Sequence, residues 1–543
     1  MKFRLFFILS FFTLLYFAAI LNIYGLQVKR GDYYMALALS QQRLAGFLEP
    51  LRGNIYFTDR NSKPVEAAIT RAFPSIFSVP MEIDNPESAA LVLAPIVNID
   101  ADKLVEMFNK PKDEYELLVK KASVAQIQAI QKLDLKGIYT EETNGRFYPF
   151  RNLAANVLGF VGQSAEDSNL AGKYGLELYY DEFLAGTAGK MENGQITDPV
   201  HGKNIQLTID PNIQTRAEDI LQNLILKFKA ESGLFIVQEP KTGKILAMGG
   251  QPSFDPNDYS QYKLQNFLNP AAQAIYEPGS VMKVITMAGG LDAKKITPQT
   301  TFYDSGSLSL DGWTIKNWDK KAHGKVTMTE VIEESINTGA AFAERQLGND
   351  LFYNYLVKFG FGEKTGLKFP GELNGNLDNL KKSFREINFA TASFGQGISL
   401  TPIQLINAIS VIANGGTLMR PYLTGEESPF AIRRVISEEA ARQVTAMMLS
   451  AVNKAMIARI PKYDIAGKTG TAQIPDFKRG GYTEEYIHTY VGFAPAFNPR
   501  FTVLIRLDKP AGAPLAGLTV VPAFRELTEY ILNYYNIPPD RLE

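Results

Sequence analysis

The stretch GLFIVQEPKTGKILAMGG, residues 233–250, contains two short apolar runs separated by a turn with proline and glycine. Two such runs around a short turn predict a β-hairpin. A second hairpin is predicted near the carboxyl end, where YVGFAPAF (490–497) and RFTVLIRLD (500–508) flank an Asn-Pro pair. Because the two hairpins enclose a long helical region, the sequence predicts an α+β domain with an antiparallel sheet and a helical subdomain.

The region between the hairpins carries apolar residues at helical spacing. The predicted helical segments are 281–293, 328–346, 402–413 and 438–457. A strand followed by a proline-initiated helix within 204–225 precedes the first hairpin, and a helix at 521–535 is expected to cover the sheet. We therefore predict one domain at 204–543.

Residues 27–203 contain shorter predicted strands and helices. The sequence RGNIYFTDRNSKPV (52–65) is typical of two strands joined by a turn. Helical periodicity is present in 87–97 and in 113–133. We expect a separate mixed α/β domain in this part of the chain, which serves as a pedestal for the larger domain.

The first residues predict a membrane anchor. No charged residue occurs between Arg4 and Lys29, and an apolar run fills that interval. The run reaches the roughly 20 residues that a spanning helix needs, whereas a cleaved signal peptide has a shorter apolar region and a small-x-small cleavage site. Lys2 and Arg4 favour a cytoplasmic amino terminus. The predicted order is a cytoplasmic tail at 1–4, a membrane span at 5–26, the pedestal at 27–203 and the larger domain at 204–543.

Composition and charge exclude several classes of function. The 543-residue chain has 56 basic and 57 acidic side chains, and its net charge of -1 gives no basic footprint for nucleic acid. It has no cysteine, which excludes disulfides, thiol catalysis and cysteine-ligated zinc. The three histidines, His201, His323 and His488, form no H-x-x-x-H pair. We expect neither a metal nor another cofactor.

YEPGSVMKVIT (276–286) carries a serine with two possible roles. Ser280 follows a Pro-Gly pair and opens an apolar run, which is a favoured position for a helix N-cap. The alternative is a nucleophile, because Lys283 lies three residues along the same helix and shares its face. An alkyl hydroxyl needs such a base. The same spacing recurs at Ser260 and Lys263, so the motif alone does not decide.

Two further motifs follow Ser280 in order. They are Ser335-Ile336-Asn337 and Lys468-Thr469-Gly470-Thr471. The first lies between helical segments, and the second lies on a predicted strand just before the carboxyl-terminal hairpin. The copies that begin at Ser260 and at Lys241 lie in loop or turn contexts and fall outside the ordered set. The ordered set S-x-x-K, S-x-N and K-T-G is the signature of penicillin-binding proteins and class A β-lactamases.

Five further motifs also resemble segments of penicillin-binding proteins. They are GFVG (159–162), YGLE (174–177), LTIDPNIQ (207–214), FGQGISLTPIQ (394–404) and VGFAPAFNP (491–499). With them, the chain resembles a class B penicillin-binding protein from residue 1 to about residue 535, and YEPG (276–279) resembles the division-specific branch more than the elongation-specific one. One departure is the early R-G-x-I-x-D-R-N-G element, which appears at 52–62 with two added residues and a final serine.

The resemblance implies a serine-acyltransferase domain preceded by a dimerisation-type pedestal and one transmembrane helix. It implies a peptidoglycan D,D-transpeptidase of the plasma membrane, with an extracytoplasmic catalytic domain, peptidoglycan stem peptides as substrates and β-lactams as inhibitors. It also implies a glycan polymerase of the SEDS family, with other division proteins, as partners. Septal wall synthesis is the role expected from the division-specific branch.

The resemblance also assigns a role to each motif residue. Ser280 is the expected nucleophile and Lys283 its base, while Ser335 relays a proton to the departing amine. Asn337 is expected to hold the substrate amide and to orient Lys283. The residues expected to bind the donor carboxylate are Lys468, Thr469, Gly470 and Thr471, and the backbone N–H groups of Ser280 and Thr471 form the expected oxyanion hole.

Several different functions remain open from the sequence. Ser335 and Asn337 can both act as helix caps. A β-lactamase shares the three motifs but has no use for a pedestal and an anchor, since such enzymes consist of one domain. An elongation-specific transpeptidase, a β-lactam-binding sensor and a non-catalytic division scaffold also fit the motifs.

Overall fold

The computed structural model describes residues 49–110, 115–163, 170–192, 195–381, 385–476 and 478–541, together with 12–13 and 15–17. The predicted tail at 1–4 and the predicted span at 5–26 lie outside the described residues, apart from those five positions. Within the described ranges, no helix has both the length and the apolarity needed to cross a bilayer.

The chain divides into two compact units, each built from more than one segment. The first unit comprises the chain up to Asn54, Ala68–Phe147 and Glu182–Asn204, and the second comprises Ile55–Ala67, Tyr148–Asp181 and the chain from Ile205. The domain boundary near residue 204 stays a prediction.

The strands are, in chain order, β1 (Ile55–Thr58), β2 (Pro64–Ser78), β3 (Glu116–Val119), β4 (Ile138–Phe147), β5 (Val161–Gln163), β6 (Leu170–Gly172), β7 (Lys190–Glu192), β8 (Gln195–Thr197), β9 (Ile205–Gln206), β10 (Ser232–Gln238), β11 (Ile245–Gln251), β12 (Thr301–Asp304), β13 (Ser307–Leu310), β14 (Trp313–Lys316), β15 (Gly324–Thr327), β16 (Thr417–Met419), β17 (Ala431–Arg434), β18 (Ala466–Pro475), β19 (Tyr482–Ala494) and β20 (Phe501–Asp508).

The α-helices are, in chain order, α1 (Pro86–Val97), α2 (Ala101–Phe108), α3 (Val124–Leu133), α4 (Ala155–Leu158), α5 (Gly175–Tyr179), α6 (Asp181–Ala185), α7 (Pro211–Phe228), α8 (Pro270–Gln273), α9 (Met282–Asp292), α10 (Met328–Glu333), α11 (Asn337–Leu347), α12 (Asn349–Lys358), α13 (Asp378–Lys381), α14 (Glu386–Ala392), α15 (Pro402–Ala413), α16 (Glu438–Ala455) and α17 (Val520–Tyr534).

In the first unit, β2 pairs in antiparallel fashion with β3 and β4, and α1, α2 and α3 supply buried apolar residues to one core. The predicted helical segment at 113–133 is wrong at 116–119, where the chain forms β3. This segment extends beside β2, which buries Leu118. The helix begins later, because Ser123 and Gln126 form a capping box at its amino end.

The second unit is built on a five-stranded sheet in the order β11-β10-β20-β19-β18, and every neighbouring pair is antiparallel. Its strands come from both ends of the region, as the two hairpins predict. The amphipathic helices α7 and α17 bury apolar side chains with the sheet in one core, which includes Leu221, Phe235, Val503, Phe524 and Leu527. This sheet holds the Lys468 motif on β18.

Two central helices of the second unit are buried on all sides. Every residue of α15 is buried, and α9 is buried from Met282 to Leu291. A helix that is enclosed on every face is apolar nearly all round, which explains why both segments show long apolar runs. Ser280 lies two residues before α9, so its backbone leads directly into a fully enclosed helix.

Candidate active site

Ser280 lies in a short 3-10 turn, Gly279–Val281, which leads directly into α9. Its hydroxyl caps neither helix, because neither amino end has a side-chain cap hydrogen bond. Instead, Ser280 Oγ lies 3.1 Å from Lys283 Nζ, one turn further on. The capping interpretation of Ser280 therefore has no hydrogen bond to support it, while the nucleophile interpretation has its base in place.

Lys283 is fully buried, with 0% of its surface exposed. Its Nζ lies 3.1 Å from the hydroxyl oxygen of Ser335 and also donates to the backbone carbonyl of Ser335. Burial holds the pKa of Lys283 well below its usual range, and the positive charge of Lys468 lowers it further. Both effects favour the neutral amine, which is the form that can accept a proton from Ser280.

Ser335 lies between α10 and α11 and has a left-handed backbone conformation, with φ of 57°. Its hydroxyl oxygen lies 3.1 Å from Lys283 Nζ and 3.0 Å from Lys468 Nζ, so it bridges the two amines. A left-handed serine costs about 1 kcal/mol or more and persists only where its surroundings hold it. The predicted helix at 328–346 is consequently two helices that break at this residue.

Asn337 is the first residue of α11, and its side-chain amide donates to the carbonyl oxygen of Lys316 at 2.9 Å. The N-cap position is Ile336, which forms no side-chain cap, so the helix-cap interpretation of the S-x-N motif has no support here either. The expected contact of Asn337 with substrate, and its orienting effect on Lys283, stay predictions.

The Lys468 motif lies on β18, at one edge of the five-stranded sheet as far as the chain is described. Only 4% of Lys468 is exposed, and burial lowers its pKa to about 7. Its Nζ lies 3.4 Å from the hydroxyl oxygen of Thr469. The hydroxyl of Thr471 accepts a hydrogen bond from the backbone N–H of Ala516 at 3.3 Å. The motif thus places the Lys468 amine and the hydroxyls of Thr469 and Thr471 on one strand. The amine lies within hydrogen-bond distance of the Ser335 hydroxyl.

Two glycines allow the main chain to approach the Ser280 turn. A Cβ at Gly470 would lie 2.8 Å from the carbonyl oxygen of Pro278, so only glycine lets β18 pass this close. Gly395, in the FGQG motif, has φ of 85°, and a Cβ there would lie 2.2 Å from the carbonyl oxygen of Gly279. The backbone N–H of Gly279 donates to the carbonyl of Gly395 at 3.2 Å. The turn is therefore held by main-chain contacts.

We expect Gly395→Ala to lower the free energy of unfolding by more than about 2 kcal/mol, because it combines a left-handed alanine with a backbone clash. The matched control is Gly480→Ala, whose φ is 76° with no atom within 4 Å of the added Cβ. That variant should lose only about 1 kcal/mol. Urea denaturation measures both. Equal losses in the two variants would show that the Gly279 contact does not constrain the turn.

The second copies of two motifs lie apart from this constellation. Ser260 is exposed in a 3-10 helix, with its hydroxyl 3.5 Å from Asp258 Oδ1. Lys241 is exposed in the turn between β10 and β11 and donates to Asn498 Oδ1 at 3.0 Å. The ordered set, by contrast, forms a continuous series of contacts through Ser280, Lys283, Ser335 and Lys468.

Sequence reasoning missed a buried polar network beside the site. Asp304, Asn317 and Thr338 are all buried and hydrogen-bonded to one another. No motif spacing connects these residues, since they are distant in the chain and meet only in the fold. The sequence signal that could have pointed to them is an aspartate directly after a short run of β-branched and aromatic residues, TTFY (300–303), because a carboxylate that becomes buried needs partners.

Two protein-family models match this chain. The family model described as the penicillin-binding protein transpeptidase domain matches residues 233–529, more than half of the chain. The model described as the penicillin-binding protein dimerisation domain matches residues 47–208.

Curated relatives match over nearly the full chain. Stage V sporulation protein D of Bacillus subtilis (strain 168) is 34% identical, across 95% of this chain and 83% of that protein. Peptidoglycan D,D-transpeptidase FtsI of Escherichia coli (strain K12) is 29% identical, across 89% of this chain and 84% of that protein.

Solved structures match as well. A peptidoglycan synthetase from Bifidobacterium adolescentis ATCC 15703 has a TM-score of 0.71 and 27% identity, covering 91% of this chain and 97% of that one. Penicillin-binding protein 3 from Mycobacterium tuberculosis, complexed with aztreonam, has a TM-score of 0.70 and 26% identity, covering 91% and 98%. This chain therefore belongs to the class B penicillin-binding proteins, as its motifs suggested.

Proposed function

We propose that this chain is a peptidoglycan D,D-transpeptidase that works through an acyl-enzyme on Ser280. The observation that supports it most directly is the unbroken series Ser280 Oγ, Lys283 Nζ, Ser335 Oγ and Lys468 Nζ, with neighbouring atoms 3.0 to 3.1 Å apart. Such a series can take a proton from a nucleophile and return it to a leaving group.

In the first step, Ser280 Oγ attacks the carbonyl carbon of the D-Ala-D-Ala peptide bond while Lys283 Nζ takes the hydroxyl proton. The resulting oxyanion would accept hydrogen bonds from the backbone N–H groups of Ser280 and Thr471, and each such donor contributes about 10²–10³ in rate. The C–N bond then breaks, and the amine of the last D-alanine receives a proton through Ser335. The product is an ester on Ser280.

In the second step, an amine of a neighbouring stem peptide attacks this ester. Lys283 accepts the amine proton, the C–O bond breaks, and Ser280 regains its hydrogen as the cross-link forms. Lys468, with the hydroxyls of Thr469 and Thr471, would hold the terminal carboxylate of the donor during the first step, since a cation and two hydroxyls suit a carboxylate. Gly470 lets this strand pass close to the nucleophile.

The named relatives support this substrate class, and the YEPG motif at 276–279 supports a role in cell division. One relative is called a peptidoglycan D,D-transpeptidase, and one similar structure holds the β-lactam aztreonam. We infer that β-lactams acylate Ser280 here as well. The sporulation relative is the more similar of the two curated proteins, so the same chemistry also suits wall synthesis during spore formation.

The experiment is a cross-linking assay with the purified full-length chain, a glycan strand carrying pentapeptide stems and an acceptor strand. The expected products are cross-linked stems with one D-alanine released for each bond. Release of D-alanine without cross-links would instead support a carboxypeptidase, and rapid loss of a β-lactam adduct in a parallel labelling experiment would support a β-lactamase. A stable β-lactam adduct without turnover of stem peptides would support the sensor or the scaffold.

The apolar run at 5–26 supports a second part of the proposal, an uncleaved membrane anchor with the catalytic domain outside the cytoplasm. With the pedestal, it would bind a SEDS-family glycan polymerase through residues 1 to about 200. Replacing the anchor and pedestal with unrelated ones should uncouple glycan polymerisation from cross-linking in a reconstituted membrane. Unchanged polymerase activity with the replaced chain would contradict this partner.

A further inference from the structure

Three consecutive residues, Lys316, Asn317 and Trp318, hold the segment that carries Ser335. We call residues 316–318 the clamp segment. Its hydrogen bonds to that segment run from Asn337 Nδ2 to Lys316 O (2.9 Å), from Trp318 Nε1 to Glu334 O (3.0 Å) and from the Thr338 N–H to Asn317 Oδ1 (3.3 Å). The clamp segment therefore contacts the chain on both sides of Ser335.

A buried carboxylate fixes the clamp segment in turn. Asp304 is 0% exposed and ends β12. Its hydrogen-bond donors include Thr338 Oγ1 (2.7 Å), the Gly306 N–H (2.9 Å), Asn317 Nδ2 (2.7 Å) and the His323 N–H (3.0 Å). A well-satisfied buried network of this kind rigidifies its surroundings. Asp304 thus connects the clamp segment directly to the first turn of α11.

This arrangement matters because Ser335 depends on its neighbours for its conformation. Its left-handed backbone needs external support, and its hydroxyl must stay within hydrogen-bond distance of both Lys283 and Lys468. The residue before Ser335 is held by Trp318, and the turn after it is held by Asn317 and Asp304. Small displacements of a proton-transferring group slow the chemical step more than they weaken ligand binding.

We propose that Trp318, Asn317 and Asp304 are positioning residues that keep Ser335 in the proton path of the acylation step. The inference rests on the function proposed above. It assigns to these three side chains a role in the rate of bond formation at Ser280 and no role in holding the β-lactam before the bond forms.

The principal test is Trp318→Phe, which removes the indole N–H donor and keeps an aromatic ring. Trp318 is 54% exposed, so this change should not affect folding. With a chromogenic cephalosporin, we expect the acylation rate constant to fall about 3- to 10-fold, the effect of one hydrogen bond, while the dissociation constant of the pre-acylation complex stays the same. The matched control is Trp313→Phe, on β14 and 63% exposed, which should acylate at the wild-type rate.

A second pair of variants tests the buried side of the network. Thr338→Val removes the hydroxyl that donates to Asp304, and we expect acylation to slow about tenfold. Thr338→Ser keeps the hydroxyl and loses only the methyl group, so it should retain most of the wild-type rate.

The outcomes separate this inference from the proposed function. If Trp318→Phe and Thr338→Val acylate at the wild-type rate while Ser280→Ala does not react, the positioning role is overturned and the transpeptidase assignment survives. A slower reaction caused only by weaker pre-acylation binding would also overturn the positioning role. If Ser280→Ala still forms the adduct, the proposed function fails, and the inference fails with it.

Discussion

Ser280→Ala should lose covalent labelling by a fluorescent penicillin, with the acylation rate reduced by about 10⁴-fold or more. The reason is that the ester cannot form without the hydroxyl, and loss of a nucleophile in a concerted constellation removes nearly all catalysis. Labelling is measured by gel fluorescence and the site by peptide mass spectrometry.

The matched control is Ser260→Ala, because Ser260 has the same S-x-x-K spacing in an exposed position. It should label at the wild-type rate. The melting temperature of Ser280→Ala should stay close to that of the wild type, since the change removes only one hydroxyl from a half-buried site. Undiminished labelling of a folded Ser280→Ala protein would end the assignment of this residue as nucleophile.

Lys283→Met should reduce acylation by about 10²–10⁴-fold, the usual contribution of a general base. Methionine is similar in length and apolar, so it fits the buried position that Lys283 occupies. The control is Lys263→Met, in the exposed copy of the motif, which should react normally. Stopped-flow acylation with a chromogenic β-lactam measures both variants. Normal acylation by Lys283→Met would exclude this lysine as the base.

The pH dependence of acylation should also differ between the wild type and Lys283→Met. The pKa of Lys283 is lowered by burial and by Lys468, so the rate should rise as pH increases through that lowered pKa and the amine becomes neutral. Lys468 has a pKa of about 7, and it is cationic below that pH, so binding of a carboxylate should weaken above it. Together, the two titrations predict a bell-shaped dependence of kcat/KM on pH. The rise on the acid side should disappear in Lys283→Met, because that variant lacks the titrating amine.

The substitution Lys283→Met should change stability in the opposite direction to activity. Lys283 has an ordinary pKa of 10.5 in the unfolded chain and a lower one in the fold. Between these two values the unfolded chain binds the additional proton, so the free energy of unfolding rises with pH through this range. At pH 7 the buried lysine therefore opposes folding, and Lys283→Met should be at least as stable as the wild type in urea denaturation.

Much of the catalytic domain was predictable from local patterns. The two hairpins of 233–250 and 490–508 predicted the antiparallel sheet, and the apolar run at 402–413 coincides with α15. These features are encoded locally, because the spacing of apolar residues reflects which face of an element is buried. The choice of Ser280 came instead from the order of the S-x-x-K, S-x-N and K-T-G motifs, because a Pro-Gly pair before an apolar run fits a helix cap equally well.

The rest depended on contacts between distant segments. The periodicity of 328–346 continues through Ser335, and the helix breaks there because the hydroxyl turns toward two lysines that other elements supply. The Asp304 network joins residues from β12, the clamp segment and α11, and no local pattern records such a meeting. The short strand at 116–119 was mistaken for helix because its partner, β2, is separated from it by two helices in the chain.

The hydrogen bond between Gly279 and Gly395 joins two peptide groups, so no side chain is needed to form it. Side chains around Ser280 can therefore change while this main-chain contact keeps the turn in place. Substitutions selected by an antibiotic are expected among those side chains. Surveillance of resistance in such a protein should accordingly look first at the side chains around Ser280 and last at Gly279 and Gly395.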